Sequence, residues 1–281
     1  MGGSVDSYAV MGNPIAHSKS PVIHTLFADQ TNQNLRYTAI LVGVNGFKKA
    51  IDKFFGNGDL GLSITLPFKE EAWQLAQKRT SRAEKAGAVN TLWRDEHNQL
   101  HGDNTDGPGL IADLKENNGV TIKAARVLIL GAGGAVRGVL KPILSEQPAE
   151  VVIANRTRSK ADMLVKFFPG EDISVKGFED VEGRFDLIIN GTAASLQGKM
   201  LPIPVHVVDQ KTCCYDMMYG ADETIFNRWC REQGAVKTID GLGMLVEQAA
   251  EQFAIWRGVR PETKRVLDML RDEIALSLIH I

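Results

Sequence analysis

The stretch Leu130-Gly-Ala-Gly-Gly-Ala-Val-Arg-Gly138 narrows the possible folds more than any other in the chain. It follows Arg126–Leu130, a mostly aliphatic run that reads as a buried strand, and it leads into a segment with helical spacing. A strand that passes through glycines into a helix is the opening unit of a dinucleotide-binding βαβ fold. The glycines let the backbone turn tightly and approach a pyrophosphate, and the free N–H groups of the helix end face the phosphates. Gly131 and Gly133 fill the first two positions of G-x-G-x-x-G, but Val136 stands at the third. A valine there is expected to hold the helix slightly farther from the strand.

The alternation continues with a strand at Val151–Ala154, a helix from about Ser159 and a strand at Asp186–Asn190. The end of the second strand selects the dinucleotide, because an acidic residue there bonds the adenine ribose and repels a 2′-phosphate. This chain has Asn155-Arg156-Thr157-Arg158 instead. A neutral residue followed by guanidinium groups suits a phosphate, so NADP is preferred over NAD.

Short β-like runs also alternate with helical ones in the first half. Tyr8–Met11, Arg36–Val42, Leu60–Leu66 and Ala88–Arg94 read as strands, whereas Ile23/Leu26/Phe27 and Phe47/Ile51/Phe54 fall at helical spacing. This predicts an α/β fold with a largely parallel sheet and helices on its faces. Gly107, Pro108 and Gly109 break the pattern at the junction. The expected organisation is an N-terminal α/β substrate-binding and catalytic domain over residues 1–106, then a Rossmann-type dinucleotide-binding domain over 107–243. Helices from about Gly243 to Trp256 and from Pro261 onward are expected to pack back, so that 244–281 completes the first domain.

Length and charge agree with this reading. A chain of 281 residues accommodates two domains, and a net charge of −2 argues against broad electrostatic binding of nucleic acid. No run approaches the roughly 18 apolar residues of a membrane span, and no secretory leader is recognisable, so a cytoplasmic enzyme with no membrane partner is expected. Cys213, Cys214 and Cys230 lack metal-clip spacing and read as reduced structural thiols. His17, His24, His97 and His101 are likewise scattered, and no metal site is expected. Met1-Gly2 suggests acylation, but Asp6 stands where that pattern requires Ser or Thr. The apolar tail Leu-Ser-Leu-Ile-His-Ile is far too short to span a bilayer.

A hydride-transfer reaction also needs a group that moves a proton at the reacting oxygen. Lys69 follows a strand end and Pro67, and Asp103-Asn-Thr-Asp106 lies at the domain junction among glycines. A lysine held near a ketone, oriented by a neighbouring carboxylate, is a plausible proton donor. The Asp103 segment is not a calcium loop, because Leu114 occupies its twelfth position. In Ser18-Lys19-Ser20-Pro21, Ser20 is the expected helix cap and Pro21 the first helical residue, a setting suited to a carboxylate. An extended path through these residues turns Lys19 away from Ser18 and Ser20.

Taken together, GNPIAHSKSP, ITLPFKEEA, AGAVNTL, GDNTDGPGL, LGAGGA, ANRT, YDMMY and DGLGMLVEQAA resemble the shikimate dehydrogenase family, in that family's order and over nearly the whole chain. The resemblance implies reversible, NADP-dependent reduction of 3-dehydroshikimate to shikimate in chorismate and aromatic amino-acid biosynthesis, by a monomer or homodimer. It implies that Lys69 and Asp106 are the catalytic pair and that Ser18 and Ser20 hold the substrate carboxylate. Thr65, Asn90, Tyr219 and Gln248 complete the substrate pocket. Gly131, Ala132, Gly133, Gly134 and Ala135, with Asn155, Arg156, Thr157 and Arg158, form the cofactor site, and Met217 and Gly241 line its nicotinamide end. The chain departs from the family pattern at Ser63, often Asn, at Lys160, often Arg, at Ala193-Ala194, within a common Thr-Ser-Ser run, and at Ser81, often acidic. Two alternatives remain: a quinate/shikimate dehydrogenase with broader substrate and cofactor use, or a non-catalytic paralogue that senses a nucleotide or shikimate.

Overall fold

The computed structural model describes residues 5–277, so the Met1-Gly2 pattern and residues 278–281 of the apolar tail lie outside the described residues. The chain divides into two compact units, Met1–Gly109 with Val246–Leu267 and Leu110–Leu245 with Asp268–Ile281.

In the first unit the elements are β1 (Asp6–Gly12), α1 (Ser20–Thr31), β2 (Leu35–Leu41), α2 (Phe47–Gly56), β3 (Gly61–Ile64), α3 (Lys69–Leu75), β4 (Lys78–Arg79), α4 (Ser81–Ala86), β5 (Thr91–Arg94) and β6 (Leu100–Asp103). The sheet order is β2-β1-β3-β5-β6-β4. Strand pairs β1–β2, β1–β3 and β4–β6 are parallel, but β5 runs antiparallel to both β3 and β6. The sheet is therefore largely parallel, as expected, with β5 as its antiparallel strand. A short connection, residues 95–99, joins β5 to β6, and only an antiparallel return fits so few residues. The amphipathic α2 buries Phe47, Ile51, Phe54 and Phe55 on one face, with Phe47 stacked on Phe68.

The second unit holds β7 (Arg126–Leu130), α6 (Gly134–Ser145), β8 (Glu150–Ala154), α7 (Arg158–Val165), β9 (Ile173–Lys176), β10 (Leu187–Asn190), β11 (Cys213–Asp216), α8 (Ile225–Glu232) and β12 (Lys237–Asp240). All its strands are parallel, in the order β12-β11-β10-β7-β8-β9. Counted within the unit this is 3-2-1-4-5-6, the doubly wound order whose reversal between β7 and β10 marks the ligand position. Val127–Leu130 and Leu187–Ile189 are fully buried, as expected of parallel strands covered on both faces.

The chain passes between the units within helices α5 (Asp106–Ala112), α9 (Leu242–Arg257) and α10 (Lys264–Ser277). The expectation that all of 244–281 completes the first domain is corrected on this point. Val246–Leu267 belongs to the first unit, where Arg257 bonds Asp6, Gln33 and the Tyr8 hydroxyl. The segment from Asp268 onward belongs to the second, where Arg271 grips both oxygens of Asp240 at 2.5 and 2.6 Å.

Candidate active site

Lys69 opens α3 just beyond β3, and Asp106 opens α5 just beyond β6. Though 37 residues apart in sequence they meet, with Lys69 Nζ donating to Asp106 Oδ2 at 2.6 Å. Asn90 Nδ2 donates to the other oxygen of Asp106 at 2.9 Å, to Thr105 Oγ1 at 2.9 Å and to Gln248 Oε1 at 3.3 Å. The Asn90 carbonyl oxygen is held in turn by Thr91 Oγ1 and the Thr105 N–H, at 2.7 and 2.9 Å. Asn90, Thr105 and Asp106 are all buried. In this low-dielectric setting a carboxylate and an amide held through both of their polar atoms keep one geometry.

Ser18, Ser20 and Thr65 belong to the same unit, beyond the C-terminal ends of the adjacent parallel strands β1 and β3. Thr65 donates its N–H to Met11 O at 3.0 Å, and a side chain at Gly12 would collide with the Thr65 methyl. The helix start differs from the expectation. Helix α1 begins at Ser20 itself, Lys19 has the helical angles φ −84° and ψ −8°, and no side chain of the cap residue makes a capping bond. The Ser18 hydroxyl instead accepts the Ser20 N–H at 3.3 Å. Strand-like alternation therefore does not govern Lys19, because helical residues fan round by about 100° per step. Lys69, by contrast, is held by its carboxylate partner Asp106 at 2.6 Å and lies among the buried polar groups of this site.

Sequence reasoning missed the layer behind these groups. Ser63 is engaged within the protein: its buried hydroxyl accepts from the Tyr37 hydroxyl at 2.6 Å and donates to Gln252 Oε1 at 2.6 Å. Gln252 Nε2 then donates to the Asn90 backbone carbonyl at 3.0 Å. His24 is a buried member of α1, stacked on Tyr37 with centroids 4.2 Å apart. Burial pushes its pKa down to about 3 despite a hydrogen bond with Gln252. No spacing rule finds such partners; the one signal was the density of short polar residues from Asp103 to Asp106.

The glycine turn lies in the second unit. Gly131 has φ +108°, and its missing side chain leaves room for the Thr192 methyl, so only glycine fits. Gly133 precedes α6 and Gly134 opens it; a Cβ at either would meet nothing within 4 Å. That open space, beside the unbonded N–H groups of a twelve-residue helix, fits a pyrophosphate. Val136 is fully buried, and its volume is absorbed by Gly191 at the end of β10, where any Cβ would collide with Val136 Cγ2. The close approach usually given by a third glycine is thus made from the neighbouring strand.

Beyond β8, Asn155 Nδ2 ties down Thr157 O at 2.8 Å, and Arg156, Thr157, Arg158 and Lys160 are exposed. Among the described residues, neither Arg156 nor Arg158 forms an ion pair. The wall containing Ala193-Ala194 is held by other residues: Asp216 Oδ2 accepts from Ser195 Oγ at 2.5 Å, while its Oδ1 accepts from Asn190 Nδ2 and the Met218 N–H at 3.1 and 3.0 Å. Burial raises the Asp216 pKa against these bonds. Met217 follows in sequence, and a side chain at Gly241 would collide with the Met217 carbonyl. Tyr219 is half-buried in this unit, and burial followed by the nearby Asp240 charge raises its hydroxyl pKa. Gln248, by contrast, lies in the first unit beside Asn90.

The chain is similar to known proteins over nearly its whole length. A family model described as the shikimate dehydrogenase substrate binding domain matches residues 10–92. One described as shikimate / quinate 5-dehydrogenase matches 113–198, and a shikimate 5′-dehydrogenase C-terminal domain model matches 241–271. A shikimate dehydrogenase (NADP(+)) of Marinobacter nauticus is 57% identical over 272 residues, covering 95% of this chain and 99% of its own. Among solved structures, an Ael1 enzyme from Pseudomonas putida is 45% identical with a TM-score of 0.91, covering 94% of this chain and 98% of its own. Shikimate 5-dehydrogenase from Thermus thermophilus, solved with NADP(H) and shikimate, is 29% identical with a TM-score of 0.86, covering 95% and 99%.

Proposed function

The chain belongs to the shikimate dehydrogenase family, and from that premise we propose a division of labour in which Lys69 and Asp106 handle the proton. The reaction is the reversible, NADP-dependent reduction of 3-dehydroshikimate to shikimate, a step of aromatic amino-acid biosynthesis. Bound NADP supplies the hydride donor or acceptor. Lys69 Nζ gives a proton to the C3 oxygen in reduction and recovers it in oxidation. Asp106 holds that ammonium with one oxygen and, oriented through the other by Asn90, bonds the neighbouring substrate hydroxyl. The 2.6 Å contact between Lys69 and Asp106 carries this reading.

Ser18 and Ser20 anchor the substrate carboxylate, and Thr65, Asn90, Tyr219 and Gln248 recognise its remaining oxygens. Gly131–Ala135 cradle the pyrophosphate, and Asn155, Arg156, Thr157 and Arg158 select the 2′-phosphate. Met217 and Gly241 border the nicotinamide. No helix among the described residues is long and apolar enough to cross a membrane. We assign the enzyme to the cytoplasm, as a monomer or homodimer.

The test is absorbance at the reduced-nicotinamide band with purified protein, pairing shikimate or quinate with NADP⁺ or NAD⁺. Fast turnover with shikimate and NADP⁺ alone supports the reading. Comparable rates with quinate or NAD⁺ select the broader enzyme, and no turnover at saturation selects a sensing paralogue.

A further inference from the structure

We propose that Arg82 is a positioning residue for proton transfer, acting through Asp103 and never touching the substrate; this rests on the assignment of Lys69 and Asp106 made above. Asp103 ends β6, three residues before Asp106, and is buried. Arg82 grips it in a two-pronged pair, Nε to Oδ1 and Nη2 to Oδ2, both at 2.7 Å. Asp103 Oδ1 also accepts the Thr80 hydroxyl at 2.5 Å and the Asn104 N–H at 2.7 Å. Asn104 then accepts the Asp106 N–H at 3.1 Å and pins Ala88 O with its amide at 3.1 Å. An unbroken hydrogen-bonded path thus runs from the guanidinium to the backbone of the proton-handling carboxylate.

The far edge of Arg82 meets Glu251 Oε1 at 3.1 Å, three residues beyond Gln248 on α9. Gln248 Oε1 accepts from Asn90 at 3.3 Å and Thr105 at 3.4 Å, so the same guanidinium braces two of the elements that converge on Asp106. Glu251 is in turn held by Arg260 at 2.8 Å. A planar fork matched to a carboxylate supplies orientation that a single ammonium cannot. Misplacing a reacting group by about 1 Å costs on the order of 10²-fold in rate.

The experiment is steady-state kinetics of Arg82→Met and Arg82→Lys in the full chain with shikimate and NADP⁺, each also combined with Asp106→Asn, and with Lys69→Ala as reference. Expected for Arg82→Met is a fall in kcat of about 10–100-fold with KM for NADP⁺ unchanged. Arg82→Lys should recover less than half of that loss on a logarithmic scale. In the Asp106→Asn background, Arg82→Met should cost less than about threefold, because its effect passes through the group already removed. If Arg82→Met does not fold, Arg82→Lys, which keeps the charge, is read through the same cycle. Parental kcat in the Arg82 variants, or an undiminished effect in the Asp106→Asn background, overturns the proposal. Near-parental turnover in Lys69→Ala instead removes the proton-pair assignment on which it rests.

Discussion

The surroundings of Asp106 and those of the glycine turn differ in how far the protein satisfies its own polar groups. In the first unit Asn90, Thr105, Asp106 and Asp103 are buried, and each is bonded to named partners. In the second, Gly133, Gly134 and Arg156 face outward, with helix N–H groups and a guanidinium left for a ligand to satisfy. The groups proposed to handle the proton are bonded to one another before substrate arrives, whereas the proposed nucleotide site is an open surface of donors that matches an anion. The first should therefore respond to mutation chiefly in turnover, and the second in cofactor affinity.

Lys69→Ala puts that contrast to its strongest test. Losing the proton donor should lower kcat by about 10²–10⁴-fold while moving the shikimate KM far less; a variant with near-normal turnover would remove Lys69 from the mechanism. In the second unit, Gly191→Ala drives a methyl into Val136 and should cost about 1–3 kcal/mol of stability, with weaker NADP⁺ binding. Adding Val136→Ala should restore most of the loss, and a melting curve showing no rescue would mean that this pair does not set the approach of α6 to the turn.

His24 gives the first unit a pH dependence of its own. Its folded pKa of about 3 lies below the ordinary histidine value near 6.5, so the unfolded chain binds the proton more readily. The stability it contributes is complete above pH 6.5 and is lost as pH falls from there toward 3. The slope of about 1.4 kcal/mol per pH unit gives about 2 kcal/mol by pH 5. Urea unfolding at pH 7 and pH 5 should show that difference in the parent and much less of it in His24→Phe; equal losses in both would assign the acid sensitivity to other groups. The smallest effect is expected from Arg156→Ala, which should raise KM for NADP⁺ on the order of tenfold with little change for NAD⁺. Parallel weakening of both cofactors would break the link between this guanidinium and the 2′-phosphate.

Legibility followed strand length and burial rather than the unit. Arg126–Leu130 was readable to the residue because a parallel strand covered on both faces is a continuous apolar run ending in glycine. Strands such as Lys78–Arg79 and Leu100–Asp103 were not, being short and mixed in polarity, and the antiparallel turn into β6 went unread with them. Helix α1 starts one residue earlier than its sequence suggests, with Ser18 rather than Ser20 supplying the hydroxyl at that helix end. Nothing in the spacing of Arg82 and Asp103 reveals that the half-buried guanidinium grips the buried carboxylate.

By itself the sequence determined the strand–glycine–helix unit, the basic segment beyond the second strand and the order of the motifs, because each depends on neighbours within a few residues. Tertiary structure alone decided that Lys69 meets Asp106, that Asn90 binds the carboxylate's other oxygen and that Gly191 makes room for Val136. The physical reason is range. Backbone conformation and burial period are written in adjacent residues, whereas a hydrogen bond or a steric exclusion joins positions that only the packed chain brings within a few ångströms.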